Sequence, residues 1–319
     1  MAASLIIMLI DILIPTFNRS DDLQRNLRLL TNQIKSDNLQ SVVRILISDN
    51  FSTDNTKEQV ENFVSTSEAS GIEIVYSRNN RNIGLESNVV RLLELATSDF
   101  VLWIGDDDYL ADGYLDFLVK AVEQRPLLGC IIPGLASLYE DGTLKPGRVE
   151  NYAQHVIEAG FDGVLQFSHL GHQMSGLLVR REGLLDEYLN RPDYRNPYLF
   201  IYFVSSRMLR YESIYAPKFP TRVTVFNAKD WGYNGIGLLD EVFKNYLALG
   251  NRLPIKNIED LLLRFAVVHS YRLAFRPLKP VILSRQYHVL IKAGTGSLRF
   301  KLQLASFFAK EAVLSLAGR

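Results

Sequence analysis

Three consecutive carboxylates, Asp106, Asp107 and Asp108, follow an apolar run in "FVLWIGDDDYL". Adjacent aspartates repel, and each raises its neighbours' pKa unless a cation sits among them. On an extended backbone, residues two apart share a side, so Asp106 and Asp108 would point together and Asp107 away. Two carboxylates on one side suit a hard cation such as Mg2+ or Mn2+, which takes one or two of them and completes its shell with water and phosphate oxygens. The triplet equally suits a solvated acidic loop capping the next helix. Its place favours the cation: a strand as apolar as residues 100–104 belongs in the middle of a sheet, with its end at the ligand-binding edge.

Asp49 and Asn50 close a second apolar run. They offer acceptors and donors to a base edge or a ribose, or else an Asx turn. A third polar loop, "PTFNRS", brings backbone N–H groups, Thr16 and Arg19; the structural alternative for Arg19 is a surface ion pair of little weight. No glycine-rich phosphate loop follows the first strand, and the clusters "GYNGIG" and "GTGS" have the wrong spacing and context for one.

The elements that must position these residues alternate in type. Strands are expected at residues 11–14, 43–48, 72–77 and 100–104. Leu23, Leu27, Leu30 and Ile34 form one helical stripe, with Ser20 as its expected N-cap, and a second helix covers 53–64. A third carries Leu85, Val89, Leu92 and Leu93, with Asn88 inside the stripe; a buried amide must be hydrogen-bonded, so Asn88 should hold a neighbouring loop. This is the pattern of an α/β fold, a Rossmann-like, mostly parallel sheet flanked by helices. Four polar loops, including "RNNRNIG", which ends at Gly84, gather at the carboxyl ends of the strands, where one nucleotide-sized ligand fits. Beyond Asp112 the pattern is mixed, with a hairpin turn at Asp141-Gly142, and from about Asn257 it is helical, broken by Pro277, Pro280 and Gly294–Gly296. The expected divisions are 1–112, 113–256 and a helical, basic extension at 257–319.

The 319 residues are 47% hydrophobic and carry 35 basic against 35 acidic side chains. That balance argues against a nucleic-acid partner, although the charge is uneven: from Leu261 onward ten Lys and Arg stand against Glu311 alone. The single cysteine, Cys130, rules out an internal disulfide and fits a reducing, cytoplasmic setting. The apolar start is interrupted by Asp11 and Pro15 and is expected to be a buried strand with a short lead-in, not a spanning helix.

Taken in order and spacing, "ILIPTFNR", "ISDNFSTDNT", "NIGLESN" and "WIGDDDYL" resemble the nucleotide-sugar-binding half of family 2 glycosyltransferases of the GT-A fold, and "GHQMSGLLVRRE" resembles the strand and helix beneath that family's acceptor site. Within the family the chain is similar to bacterial O-antigen and surface-polysaccharide enzymes, abequosyltransferase-like members among them. The resemblance implies inverting transfer of a sugar from a nucleoside-diphosphate donor to an acceptor hydroxyl. Pro15, Thr16, Asn18 and Arg19 would line the nucleotide and Asp49 would meet the base, with Asn50, Gly84, Asn88 and Asp107 in the same binding set. Asp106 would meet the ribose or donor sugar, and Asp106 and Asp108 would hold the Mg2+ or Mn2+.

Inversion also needs a carboxylate to take the acceptor's proton. Many family members place it in a Glu-Asp pair beyond a motif like "LLVRRE". That pair is absent here, and Asp193 is nominated in its place, with His172, Asp230, Asp240 and Glu241 as competitors. The aromatics from Tyr188 to Phe203, with Trp231 and Tyr233, fit either sugar stacking or core. The basic tail carries Phe300, Leu302, Leu304, Phe307, Phe308, Val313 and Leu314. It fits a peripheral contact with an anionic membrane, where a lipid-linked saccharide acceptor would sit, or a helical appendage or homo-oligomer contact. Two other functions use a similar sheet: a catalytically silent nucleotide-sugar-binding module, and a sugar-nucleotide pyrophosphorylase, which "PTFNRS" disfavours because it lacks glycines.

Overall fold

The computed structural model describes residues 8–147, 153–226 and 237–317. The first half follows the expected alternation: β1 (Ile10–Thr16), α1 (Ser20–Ser36), β2 (Val43–Asp49), α2 (Thr56–Val64), β3 (Ile74–Arg78), α3 (Leu85–Leu95), β4 (Phe100–Trp103) and α4 (Tyr114–Gln124). Then come β5 (Leu128–Leu138), β6 (Leu144–Pro146), β7 (His155–Ile157), α5 (Phe161–Phe167), β8 (Leu178–Arg180), α6 (Leu184–Leu189), α7 (Phe200–Met208) and β9 (Glu212–Thr224). Four helices follow, α8 (Gly237–Leu247), α9 (Ile255–Val268), α10 (Pro280–Ala293) and α11 (Leu298–Leu316).

The strands form one sheet in the order β3-β2-β1-β4-β8-β5-β9-β7, with β6 beside β5. β1 to β4 run parallel, whereas β8 is antiparallel to both its neighbours. The chain winds from β1 outward through β2 and β3, then returns to the other side of β1 for β4. The carboxyl ends of β1 and β4 therefore flank the topological switch point, the place where open α/β sheets bind ligands.

β1 is buried throughout, as a central strand must be. The stripe Leu23, Leu27, Leu30 and Ile34 of α1 packs into the same core. Ser20 does not cap α1. The left-handed Asn18 (φ 53°) turns the chain early enough that Arg19 takes the N-cap position, and the Ser20 N–H donates to Asp54 Oδ2 at 3.2 Å. Asp11, fully buried in β1, accepts from Arg44 (2.7 and 3.1 Å), from the Ser98 hydroxyl (2.6 Å) and from the Thr97 and Ser98 N–H groups. Burial alone would raise its pKa; these donors outweigh it and hold the carboxyl below the usual range.

Two compact units divide the chain. The sheet unit takes Met1–Gly160, Gln173–Leu189 and Arg207–Ala228; the helical unit takes Phe161–His172, Asn190–Ser206 and Lys229–Arg319. The helical part thus starts well before the expected boundary at 257. Its core needs the earlier segments: Ser168 hydrogen-bonds the Tyr246 hydroxyl at 3.1 Å, and Asn196 and Asn245 exchange amide bonds at 3.1 and 3.2 Å. Inside it, Arg299 joins α11 to α9 through Glu259 (2.7 Å) and Asp260 (2.6 Å), and Ser297 caps α11 by accepting from the Phe300 N–H. Among the described residues no helix is long and apolar enough to cross a membrane.

Candidate active site

The ends of β1 and β4 are joined by a side-chain bond, Thr16 Oγ1 donating to Asp106 Oδ2 at 2.8 Å. Asp106 and Asp107 lie on a turn rather than on the extended backbone expected from sequence; β4 ends at Trp103, and the Asp108 N–H returns to the Gly105 carbonyl at 3.3 Å. The alternation argument therefore does not apply. The side chains are aimed instead by separate partners, Asp106 towards β1 and Asp108 towards the loop before β8. Asp106 remains partly accessible, while Asp107 and Asp108 are buried. Burial and then the charge of Asp107 push Asp106 up to about 7, against the Thr16 hydroxyl and Arg19, which lower it.

Asp108 is held at both oxygens. Oδ2 accepts from the Ser175 hydroxyl at 2.5 Å and Oδ1 from the Thr224 N–H at 3.1 Å, while the Thr224 hydroxyl donates to the Asp107 carbonyl. Ser175 also accepts from the Gly105 N–H at 3.0 Å. Gly176 makes this approach feasible: its φ is +86°, and a Cβ there would meet Thr221 Oγ1 at 2.2 Å. Sequence reasoning missed Ser175 and Thr224. The Ser-Gly pair ahead of "LLVRRE" is a faint signal for the first, and nothing local marks the second.

The residues expected on the nucleotide side knit the loops together. Asp49 is fully buried; its Oδ1 accepts from the Ser52 N–H at 2.7 Å, its Oδ2 from the Tyr76 hydroxyl at 2.6 Å, and Arg78 lies 3.4 Å away. Burial and the bond to Asp49 raise the Tyr76 pKa. Asn50 donates to Asn82 and accepts from the Ile83 N–H, both at 2.8 Å. Asn88 bonds Ser48 through both ends of its amide and accepts from Asn79, so it holds the loop after β3 as a buried amide should. Asn18 donates its N–H to Ser52 Oγ and accepts from the Thr53 N–H, tying the first loop to the second. Pro15 is buried in β1, Arg19 pairs with Asp22 at 3.2 Å, and Gly84 (φ +82°) occupies the N-cap of α3.

Asp193 belongs to the helical unit, exposed on the 3-10 turn Pro192–Tyr194. Of its competitors, Glu241 pairs with Lys244 at 2.7 Å, burial raises Asp240, His172 lies near the His169 carbonyl at 2.9 Å, and Asp230 falls outside the described residues, as do Trp231 and Tyr233. Of the two readings open for the aromatics from Tyr188 to Phe203, Tyr188, Tyr198, Phe200, Tyr202 and Phe203 take the second and are buried core.

Among the described residues no group of three or more His, Cys, Asp or Glu side chains could hold a metal ion by itself. The oxygen donors of Asp106 and Asp108 nevertheless fit Mg2+ or Mn2+, whose remaining positions go to water and phosphate. Burial first, and then the charge of Asp107, raise Asp106 to about 7, and a cation beside it would offset the second of these causes.

Residues 11–140 match the family model described as glycosyl transferase family 2. Over 118 residues the chain is 38% identical to abequosyltransferase RfbV of Salmonella typhimurium, covering 37% of this chain and 34% of that protein. Over 116 residues it is 30% identical to the GalNAc(5)-diNAcBac-PP-undecaprenol beta-1,3-glucosyltransferase of Campylobacter jejuni, covering 36% and 35%. The matched segment spans about a third of these relatives' length. Among solved structures, S. aureus TarS 1–349 in complex with UDP-GlcNAc superposes with a TM-score of 0.68 at 15% identity, covering 97% of this chain and 89% of that one. The mannosyltransferase PcManGT from Pyrobaculum calidifontis, in complex with GDP-Man and Mn2+, gives 0.57 at 17%, covering 96% and 80%. At such identities the likeness shows the fold, which is GT-A. The segment that carries Thr16, Asp49 and the aspartate triplet is a glycosyl transferase family 2 domain.

Proposed function

We propose that this chain is an inverting glycosyltransferase of bacterial polysaccharide or O-antigen assembly, moving a sugar from a nucleoside-diphosphate donor to a hydroxyl of a lipid-linked saccharide at the cytoplasmic face of the membrane. The observation that carries the reading is the pair of carboxylates at the switch point, Asp106 fixed by Thr16 and Asp108 fixed by Ser175 and Thr224. The named activities of the Salmonella and Campylobacter relatives support sugar transfer, and the undecaprenol in the second name supports a lipid-linked acceptor.

In this reading the nucleotide lies over the ends of β1, β2 and β3, along Asn18, Arg19 and the loop that Asn50 and Asn88 hold. Asp49 shapes the base end of the cleft through Ser52 and Tyr76. Asp106 binds the ribose or donor sugar, and Asp106 and Asp108 hold Mg2+ or Mn2+. When bound, that cation neutralises the diphosphate and stabilises the charge of the leaving group. Thr16, Ser175 and Thr224 orient the carboxylates before the donor arrives, so no reorganisation is needed during the reaction. The acceptor oxygen attacks the anomeric carbon opposite the diphosphate, the bond from that carbon to the phosphate oxygen breaks, and the acceptor's proton passes to a carboxylate, for which Asp193 is our nominee.

Thermal unfolding with UDP, GDP, CDP and dTDP, with and without Mn2+, tests the reading. One nucleotide should stabilise the chain by about 2.7 kcal/mol at a hundred times its Kd. Asp108→Asn should lose the metal-dependent part; indifference to all four nucleotides would refute the donor site. The missing Glu-Asp pair favours one other reading, a module that binds donor without turnover. Nucleotide release with acceptor present, abolished in Asp193→Asn, excludes it.

A further inference from the structure

We propose that the outer face of α11, with the adjoining row of α10, docks on an anionic lipid bilayer. α11 is apolar on two sides. Its inner side buries Phe300, Leu304, Phe307 and Phe308. Its outer side exposes Leu298, Leu302, Ala305, Ala309, Val313 and Leu316, with Leu298 72% and Leu316 76% accessible. At 3.6 residues per turn these six fall within an arc of about 80°. A surface helix normally turns polar residues to water, so an apolar stripe of five turns marks a contact. The stripe differs from the apolar set read from sequence, whose three aromatic members, Phe300, Phe307 and Phe308, are core.

Cations border it. By the same helical geometry Lys301 lies along one edge and Lys310 along the other. Tyr287 of α10 packs on Phe308 with ring centres 5.2 Å apart and reaches the Lys301 carbonyl at 3.4 Å, which places α10 along the Lys301 edge. The exposed row of α10 beside it carries Val281, Arg285, His288 and Lys292. Arg276 pairs with Glu311 and Arg299 with Glu259 and Asp260; Arg285, Lys292, Lys301 and Lys310 enter neither set. An apolar stripe framed by cations complements a surface that is apolar within and anionic at its face. A second copy fits less well, because two-fold packing of this face would set cations against cations. The inference extends the membrane-face part of the proposed function, and its test reads vesicle binding alone, so it can fail while the donor site stands.

The full chain is sedimented with phosphatidylcholine vesicles with and without phosphatidylglycerol. It should pellet with the anionic vesicles only, less so as salt rises. Neutralising Lys301 and Lys310 as Lys301→Gln and Lys310→Gln should weaken partitioning about fivefold per cation, the equivalent of about 1 kcal/mol each. Leu302→Glu with Val313→Glu should abolish it, with the far-ultraviolet spectrum and unfolding temperature of the parent retained. Absence of pelleting, or equal pelleting of the variants, overturns the proposal. So does a dimer by light scattering that Leu302→Glu dissolves while no vesicle binding is seen.

Discussion

Asp108 acts on a ligand only if its orientation is decided beforehand, and Ser175 and Thr224 decide it. Ser175→Ala removes the donor to Oδ2 and strands the Gly105 N–H, in the manner of a lost outer-shell partner of a metal ligand. Affinity for Mn2+ in the nucleotide complex, and transfer with it, should fall about 10- to 100-fold. A Mn2+ titration of nucleotide binding identical to that of the parent would rule this role out. The aspartates themselves are legible in the sequence, because their type and their place after an apolar run both carry information. Their aim is not legible. A turn replaces the extended backbone that would have set it, and the groups that set it instead, the Ser175 hydroxyl and the Thr224 N–H, lie 67 and 116 residues away.

Elements depend on a few buried ties. Asp11 binds the start of β1 to β2 and to the turn before β4, and Asp11→Ala should cost about 1–3 kcal/mol by taking the acceptor from the Ser98 hydroxyl and the Thr97 and Ser98 N–H groups, while Arg44 keeps Glu73 at 3.2 Å. The folded pKa of Asp11 lies below its ordinary 3.8. Its contribution is therefore complete above that value and lost as pH falls through the lower folded one. Acid unfolding curves should show this loss in the parent and a shallower dependence in Asp11→Asn; identical slopes would contradict the assignment. Gly176→Ala forces a left-handed backbone on a residue with a Cβ and drives that Cβ into Thr221, so roughly 1–3 kcal/mol of stability should disappear in a denaturant titration. Strands and helices of the first half were legible because periodicity is local: β2 begins at Val43 and α1 buries Leu23, Leu27, Leu30 and Ile34 as read. Ser20 was misread as a cap because the left-handed turn at Asn18, fixed by Ser52 and Thr53, is invisible in a linear pattern.

Across the whole molecule a zero net charge conceals a basic helical unit, in which the acidic side chains Glu259 and Asp260 are claimed by Arg299. Arg299→Ala takes one of three side-chain donors from Glu259, which is buried, and should cost about 1–3 kcal/mol. Faster hydrogen exchange in α11, with exchange in β1 to β4 unchanged, would confirm that the tie belongs to the helical unit; a uniform change would refute it. By itself the sequence determined the alternation of strands and helices, the polar loops at one sheet edge and the acidic triplet, since each follows from the chemistry and spacing of neighbouring residues. Tertiary structure alone decided which carboxylate meets which hydroxyl, which segments join the helical unit, and which of the two apolar sides of α11 is buried. Those outcomes depend on contacts between distant residues, and a face becomes inner or outer only when something else packs against it.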